Sequence, residues 1–217
     1  MKISEIIKSL SFILNDTAEI TYPRPDLISA INNGCRMVAL MRPDSSSETD
    51  FVTLVAGSKQ KLPDKALRLF ESCYTETGKP IEMINRKDLD RLVPDWMDTA
   101  PNEQITEIMY DERVPDTFYT YPPAKEGTRI ELSYSIMPEV VNEPEDDFPI
   151  TDKYIPAVME WTFYLMFSRD SENSKNQQRA ADHRNQFYQM LQVKTQSDFS
   201  FAPTPAKPST PTQEREQ

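Results

Sequence analysis

Histidine occurs once in these 217 residues, cysteine twice and glycine four times, and each scarcity closes off a class of chemistry. A Ser-His-Asp, Cys-His or two-histidine metal scheme would have to use His183. That residue sits on a polar helical stretch between Asp182 and Arg184 and reads as an exposed surface histidine. Cys35 and Cys73 have neither CxxC nor zinc-like spacing, so they read as two small buried hydrophobes in a reducing compartment. The glycines at 34, 57, 78 and 127 are isolated, which leaves no GxGxxG or GxxxxGK[ST] loop to cradle a phosphate. No catalytic set, cofactor site or metal site is expected.

Long apolar runs are also missing. The longest, Tyr154 to Phe167, is broken by Glu160 and is too short to cross a bilayer. Lys2, Glu5 and Lys8 interrupt what would have to be the apolar core of a signal peptide, so neither a membrane partner nor export by that route is expected. Basic residues are outnumbered 24 to 35, giving a net charge of −11, the wrong sign for gripping nucleic acid through its phosphates.

The acids are unevenly placed. Nine of them against two bases lie between Asp88 and Asp116, and six more with no base lie between Pro138 and Asp152. The stretch from Arg169 to Lys194 reverses the sign through Arg169, Lys175, Arg179, Arg184 and Lys194. Asp88, Asp90 and Asp95 beside Trp96 are the nearest approach to a pair of hydrolytic carboxylates. The simpler reading of LDRLVPDW is a short helix ended by Pro94, with Trp96 in a core and the acids solvated. Glu145-Asp146-Asp147 lacks the alternation and turn glycine of a calcium loop and reads as a solvated loop.

Apolar residues recur at helical spacing in two opening segments. Ile3, Ile6, Ile7, Leu10, Ile13 and Leu14 make one stripe; Leu27, Ile28, Ile31, Cys35, Val38 and Met41 make another, started by Pro23, Pro25 and Asp26 and stopped by Pro43. Ser45 to Asp50 reads as a polar loop. Short β-branched and aromatic runs follow at 51–56, 59–62, 69–75, 79–84, 104–110, 117–121 and 128–136, with a helical turn at 86–92. They predict antiparallel hairpins with one wet face. Helices return at Thr151-Asp152: one, around Ile155 to Phe167, is apolar nearly all round, and a longer polar one runs from Glu172 to Lys194. The expected fold is α+β: a bundle made by helices at about 2–42 and 152–194, carrying an antiparallel β-rich insertion at about 51–137, all in a single domain over 1–195. Ile6, Leu10, Ile31, Val38, Val158, Met159, Leu165 and Met166 are its expected core.

Residues 196–217 contain Pro203, Pro205, Pro208 and Pro211 and only two large apolar side chains, Phe199 and Phe201, too little to offset the entropy of ordering. They read as an extended tail. It is either a flexible end or an arm whose two aromatics enter a groove on another protein.

The order of several segments resembles one known family. LNDT (14–17), INNGCRMVALMRPDSSS (31–47), LVAGSKQKLP (54–63), LDRLVPDW (89–96), VPDTFYTYPP (114–123) and FSRDSENSKNQQRAADHRNQFYQML (167–191) follow one another as in the head-to-tail connector, or adaptor, proteins of short-tailed and related bacteriophages. The resemblance implies a structural virion protein at the head–tail junction, made in the host cytoplasm. It would form a homo-oligomeric ring, usually of twelve copies, beneath the portal protein and above the next tail protein, with DNA passing through unbound. With that role, Lys175, Arg179, Arg184, Phe199 and Phe201 become candidate docking residues. Independently of the family, Asp88, Asp90, Asp95, Asp98, Glu143, Glu145, Asp146 and Asp147 become candidates to line a channel that repels phosphates. A tail-tube or head-completion protein, and a carboxylate-dependent hydrolase, are the alternatives.

Overall fold

The computed structural model describes residues 1–169 and 173–201, side chains excepted at 72 and 193–201. Four helices gather on one core: α1 (Ile3–Ile13), α2 (Arg24–Met41), α4 (Ile155–Ser168) and α5 (Ser174–Phe201). In α1 the buried stripe is Ile3, Ile6, Ile7 and Leu10; Ile13, placed on that stripe from sequence, is 58% exposed. Helix α2 follows Pro23 and carries Pro25 in its first turn, and it stops before Pro43, as proline's fixed φ and missing N–H require. Gly34 lets α2 and α4 approach closely, because a β-carbon there would lie 3.0 Å from Val158 Cγ1 and 3.5 Å from Trp161 Cδ1. Of the expected core, Ile6, Leu10, Ile31, Val38, Val158 and Met166 are buried, while Met159 and Leu165 are half-buried.

The rest forms a sheet with a core of its own. Seven strands, β1 (Ser47–Thr53), β2 (Gly57–Lys61), β3 (Ala66–Thr75), β4 (Pro80–Met83), β5 (Glu107–Tyr110), β6 (Thr117–Ala124) and β7 (Arg129–Ile136), lie in the order β1-β7-β3-β4-β5-β6-β2. All pairs are antiparallel except β4 with β5, which run parallel at Glu82↔Glu107 and Met83↔Ile108. That short seam joins two wings, β1-β7-β3 and β5-β6-β2. Leu69, Ile130, Leu132 and Tyr134 from one wing meet Ile108 and Phe118 from the other in a single buried cluster, so the sheet curls over itself. Outside the second wing, α3 (Arg86–Leu92) and the 3-10 turn Trp96–Asp98 bury Leu89 and Trp96 against Met109, with Tyr119 and Tyr121 packed alongside. Those strand residues alternate with the inward Ile108 and Phe118, as the period of two demands.

The expected fold class is therefore corrected. The sheet is mixed, it curls into a half-barrel, and its core is separate from that of the helices; it is not a small antiparallel insertion riding on a bundle. One wing is covered on both faces, so the prediction of hairpins with a single wet face fails there. Residues 47–50, read as loop, begin β1; they are polar and mostly exposed because β1 is an edge strand. At the other end of the chain, α5 runs through Phe201, so residues 196–201 are helical and not the start of an extended tail. Residues 202–217 lie outside the described ones.

The two halves meet at one end of the helices. The Thr151 N–H and hydroxyl both donate to the Ser45 carbonyl at 3.1 Å, and the Ile136 N–H donates to Ser46 at 3.0 Å. From this junction α1 runs outward and α2 returns; α4 runs outward and α5 returns. An ion pair between Arg169, just past α4, and Asp26 in the first turn of α2 (2.6 Å) closes the outer end.

Candidate interaction surfaces

At the junction, Asp44 collects three partners. Arg42 Nε donates at 2.9 Å, Tyr154 Oη at 2.9 Å and Lys153 Nζ at 3.1 Å. Burial alone would raise the Asp44 pKa, but the hydrogen bonds from Arg42, Tyr154 and Lys153 outweigh it and hold the carboxyl at about 2. Arg42 is itself buried and lies over the Tyr154 ring at 5.8 Å. This cluster fastens the start of the sheet to the start of α4.

The candidate channel acids fall into two groups on different halves. Asp88, Asp90, Asp95 and Asp98 are exposed on the flank made by α3 and the turn after it. Asp90 accepts the Trp96 indole N–H at 2.8 Å, which anchors Trp96 in its small core. Of Asp88, Asp90 and Asp95, only Asp90 lines the adjoining 610 Å³ cleft, where the Arg86 guanidinium sits 4.5 Å over the Tyr119 ring. Glu143, Glu145, Asp146 and Asp147 lie on a loop against the start of α1, whose Ile3 and Ser4 N–H groups donate to the carbonyls of Asp146 and Pro144. The Asp146 carboxylate accepts the N–H groups of Glu143 and Asn142, each at 3.0 Å, which lowers its pKa. Asp147 pairs with Lys2 at 3.0 Å. These two acids shape the loop, and Glu143 and Glu145 are left exposed. The loop is clamped to α2 by Asn32, whose amide donates to the Val141 carbonyl (2.7 Å) and accepts its N–H (2.9 Å).

The candidate docking residues are spread along α5. Lys175, Arg179 and Arg184 are exposed, with Arg179 over the Phe167 ring (5.6 Å) and Arg184 over Tyr164 (5.9 Å). Phe199 is 24 residues beyond Lys175 on the same helix, about 36 Å away at 1.5 Å per residue. The structure thus separates the basic residues from the aromatics. His183, read as an exposed surface residue, is inside the α4–α5 seam: Nδ1 is 2.6 Å from Glu160 Oε2, and the ring stacks on Phe167 at 5.5 Å. Glu160 explains the polar break in the apolar α4, and Gln186 reaches the same carboxylate once its amide is turned.

Sequence reasoning missed the outer end. Phe12 is 76% exposed, Ile13 58% and Ile20 80%, and all three lie where α1 hands over to α2. The loop between them is fixed: the Asp16 carboxylate accepts the N–H groups of Ile20 (3.0 Å), Thr21 (2.9 Å) and Tyr22 (2.7 Å). Asn15 and Glu19 hold positive φ, 54° and 52°. The available signal was Phe12, which falls off the Ile3-Ile6-Ile7-Leu10 stripe.

Among the described residues no group of three His, Cys, Asp or Glu side chains is placed to hold a metal, and no helix is long and apolar enough to cross a membrane. A family model described as SU10 adaptor protein matches residues 1–208. The chain belongs to that phage adaptor family. The match runs through both cores and α5. No curated protein matches the chain. A structural adaptor role in the phage particle, in contact with portal and tail components, follows from the family; it makes the protein a virion component.

Proposed function

We propose that this adaptor forms a ring between portal and tail, with its helical half toward the portal, its sheet half toward the next tail protein, and DNA passing through the centre at ejection. The observation that carries this reading is the chemical difference between the two halves. The outer end of the helices presents bare apolar side chains and Lys175, with Arg179 and Arg184 following along α5; the flank of the sheet presents Asp88, Asp95 and Asp98. A part with two unlike ends fits a place between two unlike neighbours. On this reading the basic residues of α5 meet an acidic portal surface, and the flank acids, with Glu143 and Glu145, face the lumen, where negative charge keeps DNA from sticking. Phe199, Phe201 and the residues after them act as a separate arm on a neighbouring subunit. The role asks no residue for proton chemistry.

Electron-microscopy class averages of the protein mixed with its portal test the reading directly. A closed ring coaxial with the portal, with twelve copies, is the expected result. A monomer, or a ring stacked on tail tube and indifferent to portal, would favour a tail-tube or completion protein instead. A chain ending at Thr195 should still cap the portal but form rings less completely.

A further inference from the structure

The outer tip of the helices is built in a way that folding alone does not explain. Phe12, Ile13 and Ile20 are among the barest large apolar side chains of the described residues, and a mobile loop would let them turn inward. Asp16 prevents this by holding three successive backbone N–H groups, with two non-glycine residues kept in the left-handed region, a conformation that costs free energy. The charges around the tip are also sorted. Three of its described acids are engaged: Asp16 by the loop, Glu19 by Arg24 at 2.8 Å and Asp26 by Arg169 at 2.6 Å. Lys8, one turn before Phe12 on α1, and Lys175, at the start of α5, are exposed and make no ion pair among the described residues. A chain of net charge −11 thus carries, among the described residues, an apolar knob beside two exposed lysines that no carboxylate pairs. The knob lies at the end of the helices and not on their sides, whereas a closed ring is made by two different lateral faces.

We infer that Phe12, Ile13 and Ile20 form a preorganised plug that inserts into an apolar socket, rimmed by carboxylates, on the portal protein. This rests on the adaptor reading above and adds the contact that makes it. Fixing the plug in advance removes ordering cost from the docking step. The aromatic and the two isoleucines act as the anchor, and Lys8 and Lys175 steer approach and set salt dependence.

The test is binding of the full-length chain to purified portal, with subunit assembly read in parallel by sedimentation. The Phe12→Ser/Ile20→Ser double variant removes two exposed side chains, so its melting temperature should match the parent's. Portal affinity should fall about a hundredfold with subunit assembly unchanged. Asp16→Ala, which leaves the plug residues in place and frees the loop, should lower affinity by about tenfold. Leu92→Ser, equally exposed at 72% but on the sheet half, should change nothing. Unchanged portal binding by the double variant overturns the plug while leaving the adaptor role standing. Loss of subunit assembly instead of portal binding also overturns it, by assigning the tip to a second copy. If the parent chain itself does not bind portal, the adaptor reading falls and the plug with it.

Discussion

The helical half and the sheet half bury their cores by different means. In the helices, long apolar stripes meet along their length and a single glycine decides how closely: Gly34 admits Val158 and Trp161, and the Trp161 indole N–H is then taken by Asn33 Oδ1 at 2.6 Å. In the sheet, residues brought together from distant parts of the chain close the inner face, and the second wing needs α3 to cover its outer one. The helical stripes are therefore close to self-sufficient locally. The sheet has no core until its topology is complete, and in its hydrogen-bonded ladder the two wings are joined through the four-residue β4.

The largest effects should come from the centres of the two cores. Phe118→Ala in the sheet and Phe187→Ala in the helices each remove a side chain with no exposed surface, at about 3 to 5 kcal/mol apiece. If the junction couples the halves, calorimetry will show one transition displaced by either change. Two transitions, each moved by only one variant, would mean that the halves unfold independently. Leu165→Ala is the informative contrast, since Leu165 is only half-buried and should cost about 1 to 2 kcal/mol. Next in size is Gly34→Val. Overpacking against Val158 and a β-branched residue inside a helix should together cost about 2 to 3 kcal/mol, confined to the helical half.

This contrast also shows why the elements could be read from the sequence and their assembly could not. The short helix at Arg86–Leu92 and seven strand-like runs all appear near their expected positions, because turn residues and periodicity are local signals. That β7 pairs with both β1 and β3, or that β4 and β5 run parallel, is decided by contacts across tens of residues, which no local pattern carries. The SETD stretch (47–50) looked like a loop because a mostly exposed edge strand has no alternation to read. His183 misled for the related reason that its neighbours in sequence are polar while its neighbours in space, Phe163 and Phe167, come from α4. Of the candidate surfaces, the basic residues of α5 and the acidic flank were visible as charge. The apolar tip was not, because exposure is a property of the fold.

A smaller effect probes the loop between the halves. Asn32→Ala leaves the Val141 N–H and carbonyl without their clamp, at about 1 to 2 kcal/mol for partly buried backbone groups. Because the same loop supplies the carbonyls that receive the first N–H groups of α1, hydrogen exchange should accelerate at Ile3 and Ser4 as well as at Val141. Acceleration at Val141 alone would show that α1 is held without the loop.

The smallest effect has opposite signs in the two places where the parts are joined. At the junction, Asp44 titrates near 2 against an ordinary 3.8, so its ionised form stabilises the fold. That contribution is complete above pH 4 or so and is lost as the pH falls toward 2. Partial exposure keeps it to about 1 kcal/mol or less. At the seam between the wings, Glu107 is shifted the other way, first by burial and then by the charge of Glu82 beside it in the parallel register. Its ionised form is the disfavoured one, so the sheet gains stability as pH falls through the raised pKa and loses it again on neutralisation. Acid should therefore tighten the seam before it loosens the junction. Denaturant unfolding at stepped pH, followed separately by Trp96 in the sheet half and Trp161 in the helices, would resolve the two. Glu107→Gln should remove the gain at the Trp96 probe, and Asp44→Asn should flatten the loss below pH 4. A Trp96 profile that falls steadily with acid from neutral pH, with no intermediate rise, would show that burial and the Glu82 charge do not raise the Glu107 pKa at the seam.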